Sequence, residues 1–203
     1  EAIRRNPDLI SAHDNLVFLT DAQPETTAES AQAERTSWWE RFGRSLYEHR
    51  RPHTNDPDPD RPLRVGYLGG DYRFHSAAIT FAPVIRGHSA QIQPYVYSTM
   101  PIELYDYVTQ QWMDYLGPAF VGVSRYSPAA VAQMVRDDRI DILVDLSGYT
   151  ANNRLQTFCA KPAPIQISAW GYATGVGWPA MDVLFADPVV ATPTARAEMV
   201  ERV

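Results

Sequence analysis

Short apolar runs alternate with helical segments from residue 63 to residue 185, and this alternation constrains the fold more than any other sequence feature. Most of the runs are followed by glycine, proline or small polar residues that favour turns. Such an alternation predicts a parallel sheet with helices packed on its faces. We therefore predict an α/β, Rossmann-like fold. Its strands are expected at residues 63–68, 95–97, 120–123, 141–146, 164–169 and 183–185.

The first 60 residues have a different pattern and are predicted to be helical. Asn6-Pro7 ends one helix and begins another, because proline is tolerated in the first turn of a helix. This joint is typical of tetratricopeptide repeats, although an ordinary helical hairpin fits it equally well. Residues 25–51 form a second helical segment whose apolar stripe consists of Trp38, Trp39, Phe42, Leu46 and Tyr47. A linker rich in proline and aspartate follows, so we place a domain boundary near residue 60.

The composition restricts the classes of partner. The 203 residues carry a net charge of −6, which argues against nucleic acid or an anionic membrane surface. The single cysteine, Cys159, excludes an internal disulfide and fits a reducing compartment, so we expect a cytoplasmic location. No apolar run approaches the roughly 18 residues that a transmembrane helix needs.

The fourth predicted strand ends in the turn Ser147-Gly148-Tyr149-Thr150. Ligands of open α/β sheets bind at the carboxyl ends of the strands, so this turn is expected at a functional site. We expect Asp141, at the start of the same apolar run, to belong to that site as well. The alternative for Asp141 and Asp145 is a structural role, because an Asp in a buried strand usually has a structural partner.

The first predicted strand is followed by Gly69-Gly70-Asp71 and then by His75. Glycines there allow the backbone to approach a ligand closely, although a dinucleotide-binding fingerprint is absent. We predict that Ser76 caps the next helix. His75 lies just before that helix, where it is suited to general base catalysis or anion binding; alternatively it only caps or packs.

A second glycine loop, residues 171–177, follows the fifth predicted strand. Its backbone N–H groups are candidates for binding hydroxyls or phosphate oxygens, and the alternative is a simple connecting loop. Metal-binding Cys/His spacings, a nucleophile elbow and a P-loop are all absent, so no metal or resident cofactor is expected.

Several motifs occur in one order along the chain and are more specific together than singly. They are LRVGYLGGDYRFH at 63–75, VRDDRIDILVDLSGYTANNRL at 135–155, KPAPIQ at 161–166, WGYATGVG at 170–177 and MD at 181–182. This series resembles the N-terminal catalytic lobe of the O-linked N-acetylglucosamine transferase family, which includes plant SPINDLY-type O-fucosyltransferases and bacterial homologues. The resemblance implies a GT-B glycosyltransferase. Residues 61–203 would form its N-terminal lobe, and residues 1–60 the region that joins tetratricopeptide repeats to it.

The resemblance also implies roles for individual residues. His75 and Asp141 would be catalytic, although Asp141 stands where animal members have a second histidine. The turn residues Tyr149 and Thr150 would face the sugar. The second glycine loop would contact the donor through Tyr172, Thr174 and Gly175, although its sequence differs from the family's usual Pro-Gly-Thr-Thr.

The implied activity is the inverting transfer of a sugar from a nucleotide-sugar to Ser or Thr hydroxyls of proteins, without a metal. N-acetylglucosamine from UDP-GlcNAc is the first expectation for the sugar. The diphosphate-binding residues would lie in a C-terminal lobe of the same protein, so the 203 residues alone are expected to be inactive. Two alternatives remain open, namely an O-fucosyltransferase that uses GDP-fucose and a non-catalytic lobe for binding or scaffolding.

Overall fold

The computed structural model describes residues 1–203, apart from the side chains of Ala195 and Glu198. The helices are α1 (Ala2–Arg5), α2 (Ile10–Asp21), α3 (Ala28–Trp38), α4 (Arg44–Glu48), α5 (Ser76–Arg86), α6 (Tyr107–Leu116), α7 (Pro128–Asp137), α8 (Leu155–Cys159) and α9 (Pro193–Glu198). The strands are β1 (Leu63–Gly69), β2 (Ile92–Ser98), β3 (Phe120–Gly122), β4 (Ile142–Asp145), β5 (Ile165–Ala169) and β6 (Val183–Phe185). A π-helical turn (Trp39–Gly43) joins α3 to α4, and two 3₁₀ turns (Ile102–Leu104 and Gly117–Ala119) flank α6.

The six strands form one parallel sheet in the order β3-β2-β1-β4-β5-β6. The predicted α/β, Rossmann-like sheet is therefore confirmed, and each predicted run overlaps an observed strand. The order reverses between β1 and β4, which lie side by side and pair Leu68 with Asp145 near their carboxyl ends. A reversal of this kind opens a crevice beyond the carboxyl ends of the two strands, where α/β proteins bind ligands. We call this side of the sheet the carboxyl edge.

Local sequence explains where the helices around the sheet begin. Ser127 caps α7 by accepting a hydrogen bond from the Ala130 N–H, and Pro128 occupies the first turn. For α5 the prediction was wrong by one residue, because His75, not Ser76, is the N-cap. The imidazole accepts a hydrogen bond from the Ala77 N–H, so it does the work expected of a serine hydroxyl.

The helical segment 1–49 shares a hydrophobic core with one face of the sheet. Trp178, from the loop after β5, stacks on both Trp38 and Trp39, with ring centroids 5.8 and 5.4 Å apart and interplanar angles of 7° and 18°. This core also contains Val17 from α2 and Leu143 from β4. Large aromatic rings dominate core energetics because each buries about 150–250 Å². The helical segment is therefore packed as an integral part of the molecule, while its relation to tetratricopeptide repeats and the boundary near residue 60 stay predictions.

The other face of the sheet packs against α5 and α6. Its core contains Val65 and Tyr67 from β1, Phe81 from α5 and Trp112 from α6. Residues 50–62 run between the helical segment and β1 without forming helix or strand. None of the helices described is both long and apolar enough to cross a membrane.

Candidate active site

Three loops meet at the carboxyl edge, and they follow the neighbouring strands β1, β4 and β5. The loop after β1 contacts the loop after β4, because a Cβ at Gly70 would lie 3.4 Å from the Cβ of Asn152. The loops after β4 and β5 are closer still. A Cβ at Gly171 would overlap the carbonyl oxygen of Leu146, so glycine is required at position 171. The loops that carry His75 and Thr150, and the second glycine loop, therefore follow neighbouring strands at one edge. His75 lines a groove between α5 and α6, whereas Thr150 lines a different cavity.

His75 is half exposed and stands at the start of α5. Its Nδ1 accepts a hydrogen bond of 3.2 Å from the Ala77 N–H. A ring nitrogen that accepts a hydrogen bond carries no proton, so the neutral ring carries its proton on Nε2. His75 in this state donates a hydrogen bond through Nε2 and is not prepared to remove a proton with Nδ1. The Asp71 carboxylate lies 3.7 Å from Nδ1, which is beyond hydrogen-bond distance.

Thr150 lines a cavity of about 430 Å³ between α2 and the loop after β4. Its hydroxyl donates a hydrogen bond of 2.7 Å to the carbonyl of Ser147, which fixes the turn. Apolar and polar groups share the cavity wall, and its polar lining includes Asp14, Asn15, Asn152, Asn153 and Arg154. A cavity with many hydrogen-bonding groups on its wall suits a polar ligand.

Asp14 and Arg154 give this cavity two charged groups of opposite sign. Burial raises the pKa of Asp14, while hydrogen bonds from Asn153 and from the Trp38 indole act in the opposite direction. Burial also lowers the pKa of Arg154, whose guanidinium donates to the carbonyls of Asn153 and Ser124. Arg154 forms no ion pair within the described part of the chain.

The side chain of Tyr149 is not exposed to a ligand, contrary to the expectation that it contacts the sugar. Its side chain is 1% exposed and lies in the core beside Trp38 and Tyr172. The hydroxyl donates to the carbonyl of Val176 at 2.9 Å and accepts from the Trp178 indole at 2.9 Å. Tyr149 therefore anchors the second glycine loop from beneath instead of binding a ligand through its side chain.

The second glycine loop is attached to the helical segment by its side chains. The hydroxyls of Tyr172 and Thr174 both donate to the Asp21 carboxylate, the latter at 2.8 Å. Burial, together with the bond to Asp21, raises the pKa of the Tyr172 hydroxyl, so it stays a donor at neutral pH. The two hydroxyls predicted to contact a donor are thus already bound to protein. A ligand of this loop would therefore bind to its backbone, including that of Gly175, and not to these two hydroxyls.

Part of that backbone is occupied as well. The Glu201 carboxylate accepts hydrogen bonds from the N–H groups of Val176 at 2.6 Å and Gly177 at 2.9 Å. Gly175 and Gly177 have φ values of 73° and 74°, a region that favours glycine, and successive N–H groups in such a turn form an anion-binding concavity. The sequence predicted such a concavity for a hydroxyl or a phosphate, and here a carboxylate of the same chain fills it.

Asp141 lies at the opposite edge of the sheet, so the expectation that it belongs to the same site is wrong. It precedes β4, whereas Thr150 follows β4. Both carboxylate oxygens bind Arg61, at 2.8 and 2.6 Å, and further hydrogen bonds come from the Arg64 N–H and Asn55. Burial raises the pKa of Asp141, but these hydrogen bonds outweigh it and the net pKa falls below its usual value. Asp141 therefore ties the linker to the sheet.

Sequence reasoning missed three charged residues that shape the carboxyl edge, namely Asp21, Arg35 and Glu201. Each acts on the second glycine loop from a distant part of the chain, and none belongs to a motif. No sequence signal marks them. In the structure Arg35 and Glu201 are buried charged residues, which is unusual for such side chains, and the Asp21 side chain is 12% exposed. Among the residues whose side chains are described, no three His, Cys, Asp or Glu are grouped to hold a metal ion.

The sequence matches the model of glycosyl transferase family 41 over residues 7–202. Among curated proteins, it is 30% identical over 203 residues to a probable UDP-N-acetylglucosamine–peptide N-acetylglucosaminyltransferase SPINDLY of Solanum lycopersicum, with 98% of this chain and 22% of the relative covered. The Arabidopsis thaliana protein SEC, with the same enzyme name, is 29% identical over 130 residues, which cover 64% of this chain and 13% of that protein.

Among solved structures, a mutant O-GlcNAc transferase of Thermobaculum terrenum superposes with a TM-score of 0.90 and is 30% identical. The match covers 99% of this chain and 38% of that chain. The 203 residues thus span about a fifth of the SPINDLY relative and just over a third of the bacterial structure.

Proposed function

The chain belongs to glycosyl transferase family 41, and from this we propose that it is the N-terminal half of the catalytic core of an inverting protein O-glycosyltransferase. The observation that carries the proposal is the meeting of three loops at the carboxyl edge of a parallel sheet, beside the reversal of strand order. This edge would form one wall of a cleft. A C-terminal lobe of the same protein would form the other wall.

The proposed reaction is a displacement at the anomeric carbon of a nucleotide-sugar. A Ser or Thr hydroxyl oxygen forms the new bond to that carbon. The bond from carbon to the diphosphate oxygen breaks, its electron pair leaves on the nucleoside diphosphate, and the hydroxyl proton is released to water. Orientation of the two reactants and stabilisation of the leaving charge supply much of the rate. Neither a metal ion nor a resident cofactor is part of the proposal.

His75 and Thr150 have different roles in this scheme. With Nδ1 engaged by the Ala77 N–H, His75 would donate from Nε2 to an oxygen of the sugar or the acceptor, and so orient it. Thr150 would help shape the cavity between α2 and the loop after β4, because its hydroxyl is already used within the turn. The diphosphate would be held mainly by the C-terminal lobe.

We propose UDP-GlcNAc as the donor, Ser and Thr residues of proteins as acceptors, and the cytoplasm as the location. The names of the plant relatives, which describe UDP-N-acetylglucosamine–peptide transferases, support this choice of donor and acceptor. Two alternatives have to be distinguished from this proposal. One is an enzyme that uses GDP-fucose as donor, and the other is a non-catalytic lobe that only binds partners.

A donor-binding experiment tests the proposal. The polypeptide that contains both lobes is heated with UDP-GlcNAc, GDP-fucose, UDP or GDP, and its unfolding temperature is recorded. Binding to the folded state alone raises the unfolding temperature by mass action. We expect UDP-GlcNAc to raise it and to be consumed when an acceptor peptide is added. If GDP-fucose raises the unfolding temperature and UDP-GlcNAc does not, the donor is GDP-fucose. If neither raises it and neither is transferred, the result favours a non-catalytic lobe that only binds partners.

A further inference from the structure

We infer that Asp21 and Arg35 are positioning residues that hold residues 172–177 of the second glycine loop in their working conformation. The helical segment would then control donor binding through this ion pair, in addition to packing on the sheet. The inference rests on the proposed function in one respect, because it assumes that the loop contacts the nucleotide-sugar donor.

Asp21 is the last residue of α2, and one of its oxygens receives three hydrogen bonds. Oδ2 accepts from the Arg35 guanidinium at 2.6 Å, from the Thr174 hydroxyl at 2.8 Å and from the Tyr172 hydroxyl. The side chains of Asp21 and Arg35 are only 12% and 5% exposed. A charge-assisted hydrogen bond in such surroundings is stronger than one on the surface.

Arg35 extends the contact along the loop. Its Nη2 also donates to the Thr174 hydroxyl at 2.9 Å, and its Nε lies 3.5 Å from the carbonyl of Gly175. Gln32, one turn earlier on α3, donates to the carbonyl of Gly177 at 2.7 Å. Residues three apart on a helix share a face, so α3 presents both side chains to the loop together.

The loop has little tendency to keep this shape by itself. Gly175 and Gly177 both have positive φ, and glycine populates many other conformations about as readily. The contacts that restrict it come from the rest of the chain. Asp21, Arg35 and Gln32 bind it from the helical segment, Glu201 binds it near the end of the chain, and Tyr149 binds the carbonyl of Val176. Removal of one member of a buried ion pair leaves the other charge uncompensated, so the loop should loosen.

The test measures amide hydrogen exchange of residues 172–177 and steady-state kinetics in the polypeptide that contains both lobes. The variants are Asp21→Asn, Arg35→Gln and Arg35→Lys. The matched control is Arg41→Ala, which removes an exposed ion pair with Asp8 from the same helical segment. Lysine keeps the charge but lacks the planar fork, so Arg35→Lys should rescue the loop only in part.

We expect exchange of the loop amides to rise about tenfold or more in Asp21→Asn and Arg35→Gln, to rise less in Arg35→Lys, and to stay unchanged in Arg41→Ala. We expect KM for the nucleotide-sugar to rise about tenfold, while KM for the acceptor peptide changes less than twofold. A purely structural role would instead speed exchange in β1 and β4 and lower kcat without changing KM for the donor.

Unchanged exchange in residues 172–177 of the folded variants would overturn the inference. If Asp21→Asn and Arg35→Gln do not fold, Arg35→Lys and Tyr172→Phe decide in their place, because each removes only part of the hydrogen bonding. Absence of transfer by the unmodified protein would refute the proposed function, and the exchange measurement would still decide whether the ion pair holds the loop.

Discussion

The Nδ1 atom of His75 lies 3.2 Å from the backbone nitrogen of Ala77 and accepts its hydrogen bond. One side chain thus caps α5 and also carries the orienting role proposed above. An alanine variant would lose the helix cap and the chemical role together, so a loss of activity could not be assigned to either one. The two roles have to be separated by variants that keep one of them.

We predict that His75→Asn retains the stability of the protein, whereas His75→Ala loses about 1 kcal/mol of unfolding free energy. Asparagine is a good N-cap, and its side-chain oxygen can accept the Ala77 N–H in place of Nδ1. Urea unfolding of both variants measures the difference. Equal losses in the two variants would show that the imidazole does not act as the cap.

The second prediction concerns pH and Asp145, which is fully buried. Burial raises the pKa of Asp145 to about 6, although the N–H groups of Ser147 and Gly148 donate to its carboxylate. Because the folded-state pKa lies above the usual value of 3.8, the protonated carboxyl stabilises the fold below about pH 4. This contribution is lost as the pH rises through 6.

Asp145→Asn cannot ionise, so its stability lacks this pH dependence. We predict that the unfolding free energy of the wild-type protein, relative to the variant, falls by roughly 2–3 kcal/mol between pH 4 and 7. Urea unfolding of both proteins across this range measures it, and the subtraction removes the contributions of the other carboxyl groups. If the unfolding free energies of the two proteins change in parallel with pH, the pKa of Asp145 is not raised in the folded state.

Tyr149→Phe removes a hydroxyl that makes two buried hydrogen bonds, to the carbonyl of Val176 and from the indole of Trp178. We predict a loss of roughly 1–3 kcal/mol in unfolding free energy, because a buried donor and a buried acceptor are left without a partner. The fluorescence of Trp178, which also stacks on Trp38, provides a probe at the site of the change. A variant as stable as the wild type would mean that water replaces the hydroxyl.

Asp141→Ala should destabilise the protein by roughly 1.5–3 kcal/mol, since it removes the acceptor for Arg61 and Asn55. Hydrogen bonds to the carboxylate lower its pKa, so the stability it provides is present above about pH 4 and is lost as the pH falls through the folded-state pKa. The matched control is Asp60→Ala in the same linker. An equal effect of both changes on urea unfolding would argue against the role of Asp141 as the anchor of the linker.

The sheet was predictable from sequence because each strand is a short apolar run between turn residues, and the strands were found within a few residues of their observed limits. Asp141 was misplaced for a geometric reason. It is nine positions from Thr150 in sequence, but β4 runs between them, and a four-residue strand spans about 13 Å at roughly 3.3 Å per residue. Because Asp141 and Thr150 are close in sequence, the prediction assigned them to one site, although they lie at opposite edges of the sheet.

The surroundings of the second glycine loop were not predictable from one sequence. Asp21 is separated from Thr174 by 153 positions, and Arg35 from Gly175 by 140. No local pattern links residues so far apart, because their contact depends on how α2 and α3 pack against the sheet. The same applies to Tyr149, whose position in a Gly-Tyr-Thr turn favoured a ligand contact although its ring is buried.

The most direct test of the central claim compares sugar transfer by variants at the two edges of the sheet. Initial rates of transfer from UDP-GlcNAc to an acceptor peptide are measured by mass spectrometry for the polypeptide with both lobes, as wild type, His75→Asn and Asp141→Asn. We predict that His75→Asn lowers kcat/KM by about tenfold to a hundredfold, on the order of one lost transition-state hydrogen bond, while Asp141→Asn changes it less than twofold once the rates are corrected for the folded fraction. A large loss in Asp141→Asn together with an unchanged rate in His75→Asn would contradict the assignment of the carboxyl edge as the site of transfer.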